Sequence, residues 1–164
     1  MANASRNSSR RGGPGRRTGM SLVETSIVLA IIATMAAVAA PRYASSLARY
    51  RVDAAARRVT VDLESARRHA RLTSAPCTVT FDVAGDRYTV SGVADLRAGG
   101  GPYEIELWAD PYAASLDAVA LGPGTIISYD GYGMPDVSGT ITVRVGSFTR
   151  IVGVDAATGK AAVQ

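Results

Sequence analysis

At 164 residues, the chain has room for one modest domain with a single core and an appendage. Its one cysteine, Cys77, excludes an intrachain disulfide framework and a metal cluster built on cysteine ligands. The net charge of +4 is unevenly placed: residues 1–19 hold five arginines and no acid, residues 42–75 hold eight arginines against three acids, and residues 76–164 hold five bases against ten acids. Without its first 19 residues the chain is close to neutral and slightly acidic, so its basic balance is weak evidence for a nucleic-acid partner.

From Met20 to Ala40 only Glu24 is ionisable. A helix of that length, at about 1.5 Å per residue, reaches across a hydrocarbon core of roughly 30 Å. A carboxylate at the centre of such a span costs on the order of 2.5–3.5 kcal/mol, but Glu24 stands near its start, within reach of the interface. Three readings compete for residues 1–40. One is a cleaved secretory signal, with Ala37-Val38-Ala39 as the small-residue site and Arg16-Arg17 as a twin-arginine feature. Another is a plain signal anchor in which Glu24 has no role. The third is a leader cut on the cytoplasmic side of the apolar run, after Gly19. Arginines precede the run, but Arg42, Arg49 and Arg51 follow it, so the positive-inside rule orients the segment only mildly.

The third reading accounts for the most residues, because Thr18-Gly19-Met20-Ser21-Leu22-Val23-Glu24 resembles the type IV prepilin cleavage and methylation motif. The resemblance implies cleavage after Gly19, methylation of the new amino terminus at Met20, and an assembly role for Glu24. The family's usual first mature residue is phenylalanine, from which Met20 departs. Pro41 also fits, since a proline near the end of the apolar half is common in these helices and bends them.

Residues 42–73 contain no glycine or proline and are rich in Ala, Arg and Leu. Leu47, Tyr50, Ala54, Ala55, Val59, Leu63, Ala66 and Ala70 recur at steps of mostly three and four, which predicts an amphipathic helix ended by Thr73-Ser74-Ala75-Pro76. Asp53 with Arg57, Arg58 with Asp62 and Glu64 with Arg68 stand four apart and read as pairs on a solvated face, leaving Arg42, Arg49, Arg51, Arg67 and Arg71 unpaired. His69 has no carboxylate or cysteine at ligand spacing and reads as a surface or edge residue.

After Pro76 the apolar period changes from 3.6 to 2. Cys77, Val79, Phe81 and Val83 alternate with polar residues, and Ala84-Gly85-Asp86 turns the chain into a second strand through Val93, a hairpin with Cys77 on its apolar face as a buried structural thiol. Further strands are predicted at Tyr103–Leu107, Thr125–Tyr129, Ile141–Val145, Arg150–Val154 and Lys160–Val163, and the tail end of the chain reads as a meander of short strands. Residues 94–102 and 109–124 read as loops. Gly99-Gly100-Gly101-Pro102 lacks the Lys-Ser/Thr ending of a phosphate loop. Asp110, Asp117, Asp130 and Asp136 lack an EF-hand spacing and read as solvated loop acids rather than calcium ligands.

Residues Leu63 to Val79, with the stretch Tyr129-x-x-x-Gly133-x-Pro135 and the glycine-led strand from Gly139, are similar to the H-type pseudopilins of type II secretion and to FimT-like minor pilins. Lys160 stands where the DNA-binding FimT-like pilins carry an arginine-rich ending, which counts against DNA uptake. The resemblance implies an α+β fold with a leader over 1–19, a transmembrane and assembly helix over 20–40, an amphipathic helix over 41–75 and an antiparallel β head over 76–164. It implies a structural subunit with no cofactor and no small-molecule substrate. Its partners would be the prepilin peptidase, the inner membrane and other pilin or pseudopilin subunits, and its head would lie in the periplasm. No G-x-S-x-G, no H-E-x-x-H and no second histidine points to an enzyme. A DNA-binding minor pilin is the alternative of the same family, and an exported domain behind a cleaved signal is the alternative outside it.

Overall fold

A computed structural model of the chain describes residues 21–95 and 101–164. Gly19, Met20, the rest of the leader, and Gly99 and Gly100 lie outside the described residues. Two compact units, Met1–Ala40 and Pro41–Gln164, divide the chain. The first helix, α1 (Leu22–Thr73), contributes to both and has Pro41 in its interior. In the first unit every described residue is exposed, including Leu22, Ile27, Ile31, Ile32 and Val38.

In the second unit α1 packs on eight strands in two antiparallel sheets. These are β1 (Cys77–Asp82), β2 (Arg87–Asp95), β3 (Gly101–Glu106), β4 (Ser115–Leu121), β5 (Ile126–Tyr129), β6 (Gly139–Val145), β7 (Phe148–Val154) and β8 (Ala161–Val163). The sheet orders are β3-β2-β1-β5 and β4-β6-β7-β8. The α+β class is therefore observed, and the tail end of the chain is a meander, β6-β7-β8, whereas β4 and β5 do not pair with their neighbours in sequence. The chain leaves the first sheet for β4, returns for β5 beside β1, and leaves again for β6.

Strand β4 lies within the stretch 109–124 that reads as loop. Its buried residues, Leu116 and Leu121, are five apart rather than an even number. A bulge explains the spacing: Leu116 pairs with Val143 but Ala118 pairs with Thr142, so Asp117 is an extra residue that resets the alternation. Gly139 opens β6 because its Cα lies against the backbone of Ala120, where a Cβ has no space.

The core joins one face of α1 to the inner faces of both sheets. Val52, Val59 and Leu63 of the helix are buried with Val79, Tyr88 and Ile127 from the first sheet and Ile141, Val143 and Val152 from the second. Ala55, Ala56, Ala66 and Ala70 are fully covered, and their small side chains let the strands approach the helix axis. The buried stripe differs from the expected one at its start: Tyr50 is 70% exposed, and Val52, Ala56 and Asp62 take part instead.

Candidate functional site

Asp62 is the one charged side chain buried among the described residues, at 5% exposure, and it sits on the covered face of α1 between Val59 and Ala66. A carboxylate there is tolerable only with its lone pairs occupied. Arg58 Nε donates to Oδ2 at 3.0 Å, Tyr88 donates to the same oxygen at 2.5 Å, and Tyr103 donates to Oδ1 at 3.1 Å. Arg58 also donates to the Tyr103 hydroxyl, closing the group. Burial opposes the charge on Arg58, but the Asp62 carboxylate and the Tyr103, Tyr88 and Tyr112 hydroxyls together outweigh it, and the guanidinium is held above its ordinary range. Burial, and then the same carboxylate, push the Tyr88 phenol well above its usual value. The group fixes the helix against β2 and β3.

One and a half turns further along, Arg67 ties two loops to the helix. Its Nε donates to the Gly133 carbonyl at 3.1 Å and its Nη2 to the Thr158 carbonyl at 2.9 Å. Glu64 lies 3.6 Å from Arg67 Nη1 and accepts from the Ala161 backbone at 3.2 Å, so the pair also holds the start of β8. Gly133 has φ +77°, and a Cβ there would sit 2.6 Å from the Arg71 side chain, which accounts for glycine at this position.

Of the three helix pairs expected from spacing, one forms. Arg58 and Asp62 pair, though with Asp62 buried and Arg58 half-buried rather than on a solvated face. Asp53 instead meets Arg150 of β7 at 2.6 Å, and Arg68 donates to the backbone carbonyl of Glu64 rather than to its carboxylate. Two of the five arginines expected to be unpaired are engaged: Arg67 as above, and Arg51 with Asp110 at 3.7 Å. Arg49 stacks over the Phe148 ring at 4.8 Å. Apart from the contacts of Arg67 and Arg68 with Glu64 along the helix, these partners lie on other strands and loops, invisible to a rule about residues four apart. Asp62 itself carried a usable signal, because it falls on the apolar stripe and not opposite it.

The remaining chemistry-bearing residues are structural. Cys77 is buried, donates toward the Ser91 carbonyl at 3.0 Å, and burial raises its pKa, so it remains an unreactive thiol. His69 is half-buried with its ring beside Gly92. Asp130 accepts from the backbone of Tyr132 and Met134, Asp136 accepts from Ser128, and Asp117 pairs with Arg144. Among the described residues no three His, Cys, Asp or Glu side chains are grouped as metal ligands. Glu24 is exposed in the first turn of α1, where the helix dipole favours a negative charge.

Two crystal structures of the type IV minor pilin FimU of Pseudomonas aeruginosa resemble this fold. They are 14% and 13% identical, cover 71% and 68% of this chain and 90% and 91% of theirs, and have TM-scores of 0.50 and 0.49. At such identity the likeness speaks to the fold alone. A search of curated proteins finds no match. The model of the family described as type II transport protein GspH matches residues 55–158, which is more than half of the chain and includes the Asp62 group, the Arg67 clamp and seven of the eight strands in full. The chain belongs to the GspH family of pilin-like structural subunits.

Proposed function

We propose that the protein is a minor pseudopilin, made as a membrane-held precursor and assembled into a type II secretion pseudopilus. Residues 1–19 are a leader removed by the prepilin peptidase after Gly19. Met20 then carries the methylated amine. Residues 20–40 hold the chain in the inner membrane with the head in the periplasm, and they later leave lipid for a bundle of like helices. There Glu24 meets the α-amino group of a neighbouring subunit, which offsets the cost of burying both charges and sets their stagger.

The observation that carries this reading is the first half of α1. Residues 22–40 are apolar and helical and bury nothing within their own chain, and their hydroxyls on Thr25, Ser26 and Thr34 are satisfied by the helix's own carbonyls. Such a surface is suited to lipid or to other apolar helices around it. Membership of a family described by type II transport favours secretion over a retractile pilus.

The test is Glu24→Val in the full chain. Removing a charge from the apolar run leaves insertion unimpaired and the cut after Gly19 in place, with mass spectrometry finding a methylated Met20 at the amino terminus. Recovery of the variant in sheared filaments falls sharply, by analogy with the roughly 3–5 kcal/mol lost when one partner of a buried pair is removed. Full incorporation and full secretion with valine at this position would remove Glu24 from the mechanism, and an amino terminus near Ala40 would establish a secretory signal instead.

A further inference from the structure

The stretch of α1 that directly follows the apolar run has a composition of its own. Residues 41–52 hold Arg42, Arg49 and Arg51 and no acid, although residues 76–164 hold ten acids against five bases. Arg42, Tyr43, Ser46, Arg49 and Tyr50 are all exposed, the two tyrosines at 71% and 70%. Arg42 and Arg49 stand seven apart, as do Tyr43 and Tyr50, and Ser46 falls between them, so the five share one side of the helix. Val52, two positions after Tyr50 and about 200° round the helix, is buried, which turns this side away from the core.

Arg51 pairs with Asp110 at 3.7 Å, whereas Arg42 and Arg49 meet no carboxylate among the described residues. The Arg49 guanidinium lies 4.8 Å from the centre of the Phe148 ring, a contact that steadies it and leaves N–H groups for the oxygens of an anion. Basic residues at the exported end of a span work against that orientation, so an anionic partner at this level would offset their cost. Exposed arginine and tyrosine side by side match the headgroup layer, where cations meet phosphates and phenol rings straddle the boundary. Depth agrees as well. The layer is about 5–8 Å thick on each side of the hydrocarbon core. Arg42 opens the strip, Arg49 lies about 10 Å further on, and helical side chains lean toward the amino-terminal end, here back toward the apolar run. We propose that the strip is a binding site for anionic phospholipid, with Arg42 and Arg49 on the lipid phosphates and Tyr43 and Tyr50 beside the headgroups. The proposal rests on the membrane-held reading above and adds that the chain takes one chemical class of lipid at the exported leaflet rather than bulk bilayer.

A photo-reactive benzophenone amino acid in place of Ser46 tests this, in the full chain reconstituted into vesicles of phosphatidylcholine and phosphatidylglycerol in equal amounts. Adducts to phosphatidylglycerol should exceed those to phosphatidylcholine about fivefold by mass spectrometry, the preference that one basic residue confers near an anionic surface. Arg42→Gln with Arg49→Gln brings the ratio to about one, whereas Arg42→Lys with Arg49→Lys keeps it within about twofold of the parent. Replacing chloride by inorganic phosphate at the same ionic strength leaves the ratio unchanged, because the site takes the lipid and not the free ion. Adducts in proportion to the lipid mixture, adducts to a second copy of the chain, no adduct, a ratio indifferent to the glutamine pair, or one abolished by inorganic phosphate overturn the proposal. The two readings fail separately: a chain that resists alkaline extraction from the vesicles yet shows no lipid preference refutes only this site, whereas a chain released by that extraction refutes the membrane-held reading beneath it.

Discussion

Residues 22–40 and 41–73 are consecutive parts of one helix, yet they are stabilised by different surroundings. The first part is apolar apart from Glu24, Thr25, Ser26 and Thr34, and buries nothing in its own chain. The second part covers one face with the two sheets, and Asp62 and Arg67 anchor it there with hydrogen bonds to strands and loops distant in sequence. Helical hydrogen bonding alone leaves a helix marginal in water, and burial of a face supplies most of the rest. The comparison teaches that a continuous helix can be a component of a folded head along one stretch and bury nothing against its own chain along another.

The strongest way to break this contrast is at Asp62. Asp62→Ala strands the Arg58 charge and two tyrosine hydroxyls, and is expected to lower head stability by about 3–5 kcal/mol in chemical unfolding of the detergent-solubilised chain. Replacing the whole group, with Arg58→Met, Asp62→Leu, Tyr88→Phe and Tyr103→Phe together, should recover most of that loss, because no polar group then remains unpaired. If the fourfold variant is no more stable than the single one, the loss came from packing and not from stranded charge.

A matched pair of truncations sharpens the contrast directly. Leu63→Ala removes a fully buried side chain and should cost about 2–5 kcal/mol of head stability, whereas Ile31→Ala, on the apolar half, should change head unfolding by less than about 0.5 kcal/mol. Equal effects would mean that the two halves unfold as one unit.

The smallest effect concerns the turns that support the head. Asp82 is held below the usual carboxylate range by the Gly85 backbone N–H and then by Arg87, and Asp155 by the Ala157 N–H and the Thr158 hydroxyl. A depressed carboxyl stabilises the folded state above its ordinary pKa of 3.8 and ceases to do so as pH falls through the lower folded value. Head stability should therefore be flat from neutral pH to about 5 and decline below about 4. Asp82→Asn with Asp155→Asn should flatten that decline, as measured by thermal unfolding at stepped pH.

Much of this architecture was legible from local pattern. The boundaries of α1 agree with the helix-forming run that ends at Thr73-Ser74-Ala75-Pro76, and the β1–β2 hairpin agrees with the alternation on either side of Ala84-Gly85-Asp86. In both cases the residues that decide the structure are neighbours in sequence. Strand β4 escaped notice because the bulge at Asp117 breaks the period on which strand recognition depends. The solvated pairs assigned to Asp53 and Glu64 failed for a related reason: four-residue spacing states which partners are available along a helix, while Arg150 and Ala161 were offered by strands about a hundred positions away.

What the amino-acid order determined by itself is the set of local conformations and surfaces: an apolar helix half, an arginine-rich amphipathic half and alternating strands. What only the tertiary structure decided is which of those surfaces meet. Arg67 reaches the carbonyls of Gly133 and Thr158 across 66 and 91 positions, and Tyr88 and Tyr103 reach Asp62 across 26 and 41. Local propensity acts over a few residues, whereas these contacts depend on how two sheets fold over one helix face, so the same arginines that look alike in sequence become a half-buried anchor at Arg58, a loop clamp at Arg67 and exposed charges at Arg57 and Arg68.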